Sequence, residues 1–412
     1  MDEGRARRIG QRVRAARRQR GLSLNALAQL AGLSLGFLSM VENGQRLLDR
    51  ASHITALAEA MRISPSELMG APLPPVEAHG AAAHEMIPAL RHTLMGISLT
   101  TPPEHHGVAP PTWLLAGKVA DANRLYHAAE YGALAVTLPG LLTDLATAVS
   151  ASRGHDRRDL LRLLADAYYP ACTLLLKNLG YIDLAFIAVT RASEAIDELE
   201  DPLCRALSLF FRAHVLMSAG TPSQAVSEAA DAMRLVESGP ESPDAYALLG
   251  ELHLISAAAI AQDRRLPGRS GTESVRAHLA EAEDLAARTG ETQAWQLNFG
   301  PTNVGIHQVT LHTDLGLHGE AVALSSNIRP RALMVPGRQA AFHTDLGRSL
   351  AQLRRRESDA VTALLTAEHL APQRVRANAL VHDTVGFLLD RTLSAHTARD
   401  LRGLAHRMGM PV

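Results

Sequence analysis

Cysteine is nearly absent from this chain: Cys172 and Cys204 are the only two in 412 residues, with 31 residues between them. That excludes a disulfide framework and a zinc site of paired ligands, and makes a reducing cytoplasm the expected compartment. Aromatic residues make up only 4 %, while the hydrophobic set reaches 47 % and is dominated by Ala and Leu. Such a core suits helix packing rather than strands. Lysine is reduced to Lys118 and Lys177, so the basic residues are almost all Arg, a pattern that codon bias explains more simply than function. The longest apolar runs, such as Ala133 to Leu142 with its Pro139 and Gly140, are short of the ~20 residues of a membrane span. No span and no secretory signal are expected.

An excess of either charge is also lacking, with 41 Lys+Arg against 42 Asp+Glu. Split by position, this balance is a cancellation. Residues 1 to 70 hold eleven Arg and six acidic groups, a net of +5; the other 342 hold 30 basic and 36 acidic, a net of −6. A basic reader and a longer acidic partner would concentrate attraction for a polyanion at the N-terminal end.

What is there begins with five short amphipathic segments in residues 1 to 70. Ile9 and Val13 form a stripe among many arginines, which either contact phosphates or form a solvated helix face. Ser23 is a suitable N-cap for Leu24 to Ala31, and Ser34 for a helix running to Asn43-Gly44. Ala28 permits close approach of two helices, and Gly32 suits a turn residue of positive φ. Leu27, Leu33, Leu38 and Val41 would hold both helices to the rest of the domain. Ile54 to Met61 and Ser64 to Gly70 complete it.

These features resemble a Cro/CI-type (Xre) helix-turn-helix domain over residues 9 to 70, with Ser34 to Gly44 similar to the recognition helix and the loop after it. The resemblance implies double-stranded DNA as partner, with Leu35, Gly36 and Met40 at base-facing positions and Ser34, Ser39, Asn43, Gln45, Arg46 and Arg50 at phosphates. Better-known members carry Gln, Arg or Lys at the base-facing sites. Leu35 and Met40 offer only apolar contact, as to a thymine methyl, or leave discrimination to DNA shape.

The run Gly32-Leu33-Ser34-Leu35-Gly36 also matches G-x-S-x-G, but a nucleophile elbow needs a preceding strand, and none is expected. His84-Glu85 begins like H-E-x-x-H, yet position 88 is Pro, arguing against the zinc peptidases to which some Xre domains are joined. Nineteen histidines are scattered, among them His105-His106 in a proline-rich segment. No metal, cofactor or enzymatic activity is expected.

Residues 71 to 110, with Pro72, Pro74 and Pro75, read as a Pro/Ala-rich linker containing a short helix around Met86 to Met95. From 111 to 412 helix follows helix. Small residues recur after turns at Ala185, Ala225, Ala277, Ala321 and Ala360, spaced 40, 52, 44 and 39 residues. That periodicity suits an α-solenoid of about seven helix pairs, longer than consensus tetratricopeptide units. The expected fold is all-α: a five-helix Cro/CI-type domain joined to a tetratricopeptide-like α-solenoid. The arrangement resembles bacterial peptide-sensing quorum regulators. It resembles more closely large Xre regulators of high-GC bacteria, on Tyr131 to Leu142, Phe299 to Val304 with His307, and Leu364 to Pro372. The resemblance implies a transcriptional regulator, homodimeric on DNA, whose solenoid senses a peptide or small-molecule effector; docking of a protein partner is the alternative.

For the effector, Trp295 to His307 is the most informative segment. Gly300 and Pro301 interrupt a helical pattern, and Trp295, Gln296, Asn298, Asn303, His307 and Gln308 gather there. Carboxamides suit a peptide backbone; equally, the segment reads as a capped helix break. Tyr168, Arg212, His253, His343 and Arg348, each on an apolar helix, are further candidates for groove lining.

Overall fold

The computed structural model describes residues 8–72, 78–100, 110–263 and 269–410, and every regular element among them is helical. The first five helices are α1 (Arg8–Gln19), α2 (Leu24–Ala31), α3 (Leu35–Glu42), α4 (Ala51–Met61) and α5 (Pro65–Met69). Their ends are set by local chemistry. The hydroxyls of Ser23, Ser34 and Ser64 accept hydrogen bonds from the backbone N–H of Ala26, Phe37 and Glu67 at 3.0, 3.2 and 3.0 Å. Gly32 ends α2 at φ 58°, a left-handed conformation open to residues without a Cβ, and the chain turns so that α2 and α3 meet at 116°. Ile9, Val13, Leu27, Leu38, Leu57 and Met61 close the core.

The remaining helices stack as a solenoid. α6 (Ala78–Glu85) and α7 (Ile87–Gly96) pack on α9 through Ala83, Ile87, Leu90 and Leu94, so part of the expected linker is the first layer of the stack. The segments Leu73-Pro74-Pro75 and His105-His106 lie outside the described residues. Seven helix pairs follow among the described residues. They are α8 (Thr112–His127) with α9 (Tyr131–Ala151), and α10 (Gly154–Asp166) and α11 (Thr173–Asn178), joined by a π turn at Ala167–Cys172, with α12 (Ile182–Asp197). Next come α13 (Pro202–Ala219) with α14 (Pro222–Glu237), α15 (Pro243–Gln262) with α16 (Arg269–Thr289), and α17 (Pro301–Asp314) with α18 (His318–Ser325). The last are α19 (Pro336–Ala351) with α20 (Glu357–Leu370) and, after the short α21 (Pro372–Arg376), α22 (Ala379–Leu389) with α23 (Ala395–Arg407).

Ala185, Ala225, Ala321 and Ala360 are fully buried, as their spacing predicts. Ala277 is exposed instead. The apolar stripe of α16 runs through Val275, Leu279, Ala282 and Leu285, and position 277 falls off it. α9 and α15 are long and apolar enough to cross a membrane, which inspection of continuous runs did not anticipate. Their composition has another physical source in this fold: 56 % and 67 % of their apolar windows are buried among neighbouring helices.

The stack curls until its ends meet. α19 touches α8, and α21 returns to α9, where the N–H of Gly132 donates to Oε1 of Gln373 at 2.7 Å. The N-terminal domain is seated on this ring. α4 packs on α15 and α5 on α13, while Leu47 meets Phe387.

Candidate nucleic-acid interface and interior cavity

The face of α3 that would enter a groove is free. Ser34, Leu35, Gly36, Met40, Asn43, Gln45 and Arg46 are exposed, and Ser39 is half-buried. Leu35 and Met40 present 48 % and 37 % of their surface and form an apolar patch that Leu30, 59 % exposed, extends. The Arg46 guanidinium lies 5.3 Å from the Phe37 ring centroid. Ser34 serves as the N-cap of α3, a helical context in which the hydrolase-like spacing has no strand before it.

Arg50 departs from the expected set. Its guanidinium is turned to the solenoid and lies against Gly316, in the turn between α17 and α18. The α1 arginines divide in a way the sequence left open. Arg12 donates from Nε to the Leu68 carbonyl at 2.8 Å and from Nη2 to that of Met69 at 2.6 Å, satisfying the end of α5. Arg17 donates to both oxygens of Glu42, at 2.6 and 2.9 Å, and Arg14 reaches the same carboxylate at 3.2 Å and Oδ1 of Asn43 at 2.5 Å. Burial pushes the Glu42 carboxyl up, but these bonds more than offset it and hold its pKa below the ordinary value. Three of the arginines thus clamp helix ends; Arg18 is exposed.

Inside the ring lies a cavity of about 100 Å³, lined from α8, α11, α13, α15, α17, α19 and α21. Three of the eight expected ligand residues line it: Asn298, Asn303 and His307, with Gln296 beside them. The segment that brings them there is irregular, with Trp295, Gln296 and Asn298 at φ 55°, 60° and 59°, conformations costly for residues with a Cβ. It is anchored by the Thr292 N–H to the Phe299 carbonyl at 2.8 Å and by the Phe299 ring, which lies where a side chain on Gly250 would be.

Asn303 is buried and fully engaged. Its Nδ2 donates to Glu251 at 2.6 Å, and its Oδ1 accepts from Arg338 at 2.8 and 2.5 Å. Burial lifts the Glu251 pKa to about 7 and depresses His307 and His214 well below the usual imidazole range. Asn298 donates to the Gln296 carbonyl at 3.3 Å and approaches Nδ1 of His127 at 3.5 Å.

The other five expected ligand residues lie outside the cavity. Trp295 donates its indole N–H to the Asp244 carbonyl at 2.8 Å. Tyr168 is buried in the π turn, and Arg212 is on the outer surface, 3.1 Å from Glu228 and over the Phe186 ring. His343 packs edge-on against Phe342. Arg348 joins the two domains: it pairs with Asp345 at 2.8 Å and Asp314 at 3.1 Å, and donates to the Asp49 carbonyl at 2.9 Å. Of the remaining polar candidates, His253 meets His278 at 2.9 Å and Gln308 bonds Glu283. No group of three potential metal ligands occurs among the described residues.

Sequence inspection missed Lys177, Arg338, Arg374, Glu251 and His214, which also line the cavity. One signal was available: Lys177 is one of only two lysines and ends the run Leu174-Leu175-Leu176, where a charge is out of place. A second groove, of about 310 Å³, shares Lys177, Asn178 and Arg374 with the cavity and is walled on its other side by Ile54, Pro65, Ser66 and Met69 of the N-terminal domain.

Residues 8–69 match the family model of a helix-turn-helix domain, the class that the 116° crossing and the open face of α3 define. Over 61 residues the chain is 39 % identical to the HTH-type transcriptional repressor RghR of Bacillus subtilis (strain 168), a stretch covering 15 % of this chain and 45 % of that protein. The likeness therefore spans less than half of the relative's length. No solved structure matches the chain.

Proposed function

We propose that this protein is a DNA-binding transcriptional regulator in which α3 enters the major groove and the solenoid makes DNA affinity depend on an effector. The observation that carries the reading is the seating of the helix-turn-helix domain: its α4 and α5 face the ring, while the α3 face points away from it and stays open. The likeness to a transcriptional repressor supports the first half. The interior cavity, which shares Lys177, Asn178 and Arg374 with the groove beneath the N-terminal domain, supports the second. An occupant there changes what α5 rests on, and it shifts DNA binding by its differential affinity for the two seatings.

On this reading Ser34, Ser39, Asn43, Gln45 and Arg46 position the helix on phosphates, and Leu35, Gly36 and Met40 meet base edges through apolar contact. A homodimer placing two copies of α3 about one helical turn apart supplies the specificity that one such face lacks. The solenoid is read as tetratricopeptide-like, from its paired helices and small residues at their crossings. Genome-wide footprints of the full-length protein, followed by binding to the top site at several salt concentrations, test the proposal. A salt-dependent specific site is expected, with a two-fold symmetric sequence; binding to no site above random DNA overturns it.

A further inference from the structure

The interior cavity holds more positive charge than its carboxylate can neutralise. Lys177, Arg338 and Arg374 line it together with one acidic group, Glu251. Arg338 directs its guanidinium to the Asn303 carbonyl oxygen, and Arg374 lies near the Tyr131 phenol. Lys177 has no hydrogen-bond or ion-pair partner among the described residues, and burial together with Arg374 and Arg338 brings its pKa down to about 8. Glu251 is half protonated near neutral pH and already occupied by Asn303. Nδ1 of His214, excluded from solvent in the same wall, also lacks a partner. All three cations are half-buried, and like charges drawn into one cavity repel one another unless an anion pairs with them. The size narrows the choice. A cavity of about 100 Å³ is several times the space one water needs and admits a compact anionic group.

We propose that the cavity binds a small doubly charged oxyanion, with Lys177, Arg338 and Arg374 as its cationic partners. The inference rests on the reading of the solenoid as a sensor and narrows its effector from a peptide to a dianion. Because Lys177 and Arg374 also wall the groove beneath Pro65, Ser66 and Met69, the anion draws together side chains on which the DNA-binding domain rests.

The test uses the full-length protein, titrated with inorganic phosphate, glycerol 3-phosphate and succinate against sodium chloride of equal ionic strength. At least one of the three is expected to raise the thermal midpoint by on the order of a few degrees at saturation, as ligand linkage requires. Phosphate and its ester acting without succinate assigns the phosphoryl group; succinate alone assigns a dicarboxylate. Lys177→Met and Arg374→Gln are expected to weaken that anion about tenfold or more, with helical content unchanged. Lys177→Met is also expected to raise the midpoint of the unliganded protein, because it removes a repelled charge. No response above chloride, unaltered anion affinity in both variants, or a lowered unliganded midpoint in Lys177→Met overturns the proposal. The sensing reading fails separately: anion binding that leaves DNA affinity unchanged overturns sensing and supports the site. Cell extract that shifts the DNA affinity of Lys177→Met and Arg374→Gln as it does the parent supports sensing and overturns the anion site.

Discussion

Asp383 of α22 lies against the N-terminal domain, buried near Arg12, with Oδ1 unpartnered. Burial pushes its pKa up to about 8 from an ordinary 3.8. The folded state therefore holds this proton more tightly than the unfolded chain. The stabilising contribution is complete below about pH 4, declines as pH rises through the window, and is gone above about pH 8. Asp383→Asn keeps the shape and removes the titration, so its thermal midpoint is expected to exceed the parent's at pH 8 and above and to equal it near pH 4; denaturation scans from pH 4 to 9 check this. Arg46 is a residue of a different kind, exposed and held only over Phe37. Arg46→Ala is expected to weaken DNA binding about equally on all sequences and to lower the salt slope by about 1, read from anisotropy titrations at several salt concentrations.

Among the elements, the irregular segment between α16 and α17 matters most for the cavity, and its position depends on one glycine. A Cβ on Gly250 would overlap the Phe299 ring, which anchors the stretch carrying Gln296, Asn298 and Asn303. Gly250→Ala is expected to cost about 1 to 3 kcal/mol, as overpacking does, and Phe299→Leu in the same chain is expected to recover part of it. Urea midpoints of the two single variants and the double variant measure the coupling. The helices of the helix-turn-helix domain were legible because each of their determinants is local: serine caps at 23, 34 and 64, a left-handed Gly32, a small Ala28. Trp295 to His307 was legible only as a break. That Asn303 bridges Arg338 to Glu251, while Trp295 turns to the Asp244 carbonyl, depends on partners 35 to 52 residues away in the chain. Ala277 was misplaced for a related reason, since an alanine's spacing from other alanines does not say which face of its helix is covered.

The whole molecule is decided by how the two domains are joined. Asp49 sits at that junction: His318 contacts its carboxylate at 3.1 Å, Arg348 holds its carbonyl, and Arg50 beside it lies on Gly316. Burial raises the Asp49 pKa, but the His318 hydrogen bond and the nearby charges more than offset it, so the carboxylate stays ionised. Asp49→Ala is expected to loosen the seat of the N-terminal domain and to accelerate amide exchange in α4 and α5 roughly tenfold, the loss of one hydrogen bond to a charged group. Exchange in α9 and α20 is expected to stay unchanged, which separates undocking from global destabilisation. Composition, caps and periodicity determined on their own an all-helical fold, a helix-turn-helix whose second helix exposes an apolar face, and paired helices after it, because those properties follow from neighbours within one or two turns. Closure of the ring, the turning of Arg50 from a candidate phosphate contact and Arg348 from a candidate ligand contact into domain joints, and the gathering of Lys177, Arg338 and Arg374 around one cavity were decided only by the tertiary structure. In a solenoid a small rotation from each helix pair to the next accumulates along the stack, and contacts such as those of α21 with α9 join elements far apart in the chain.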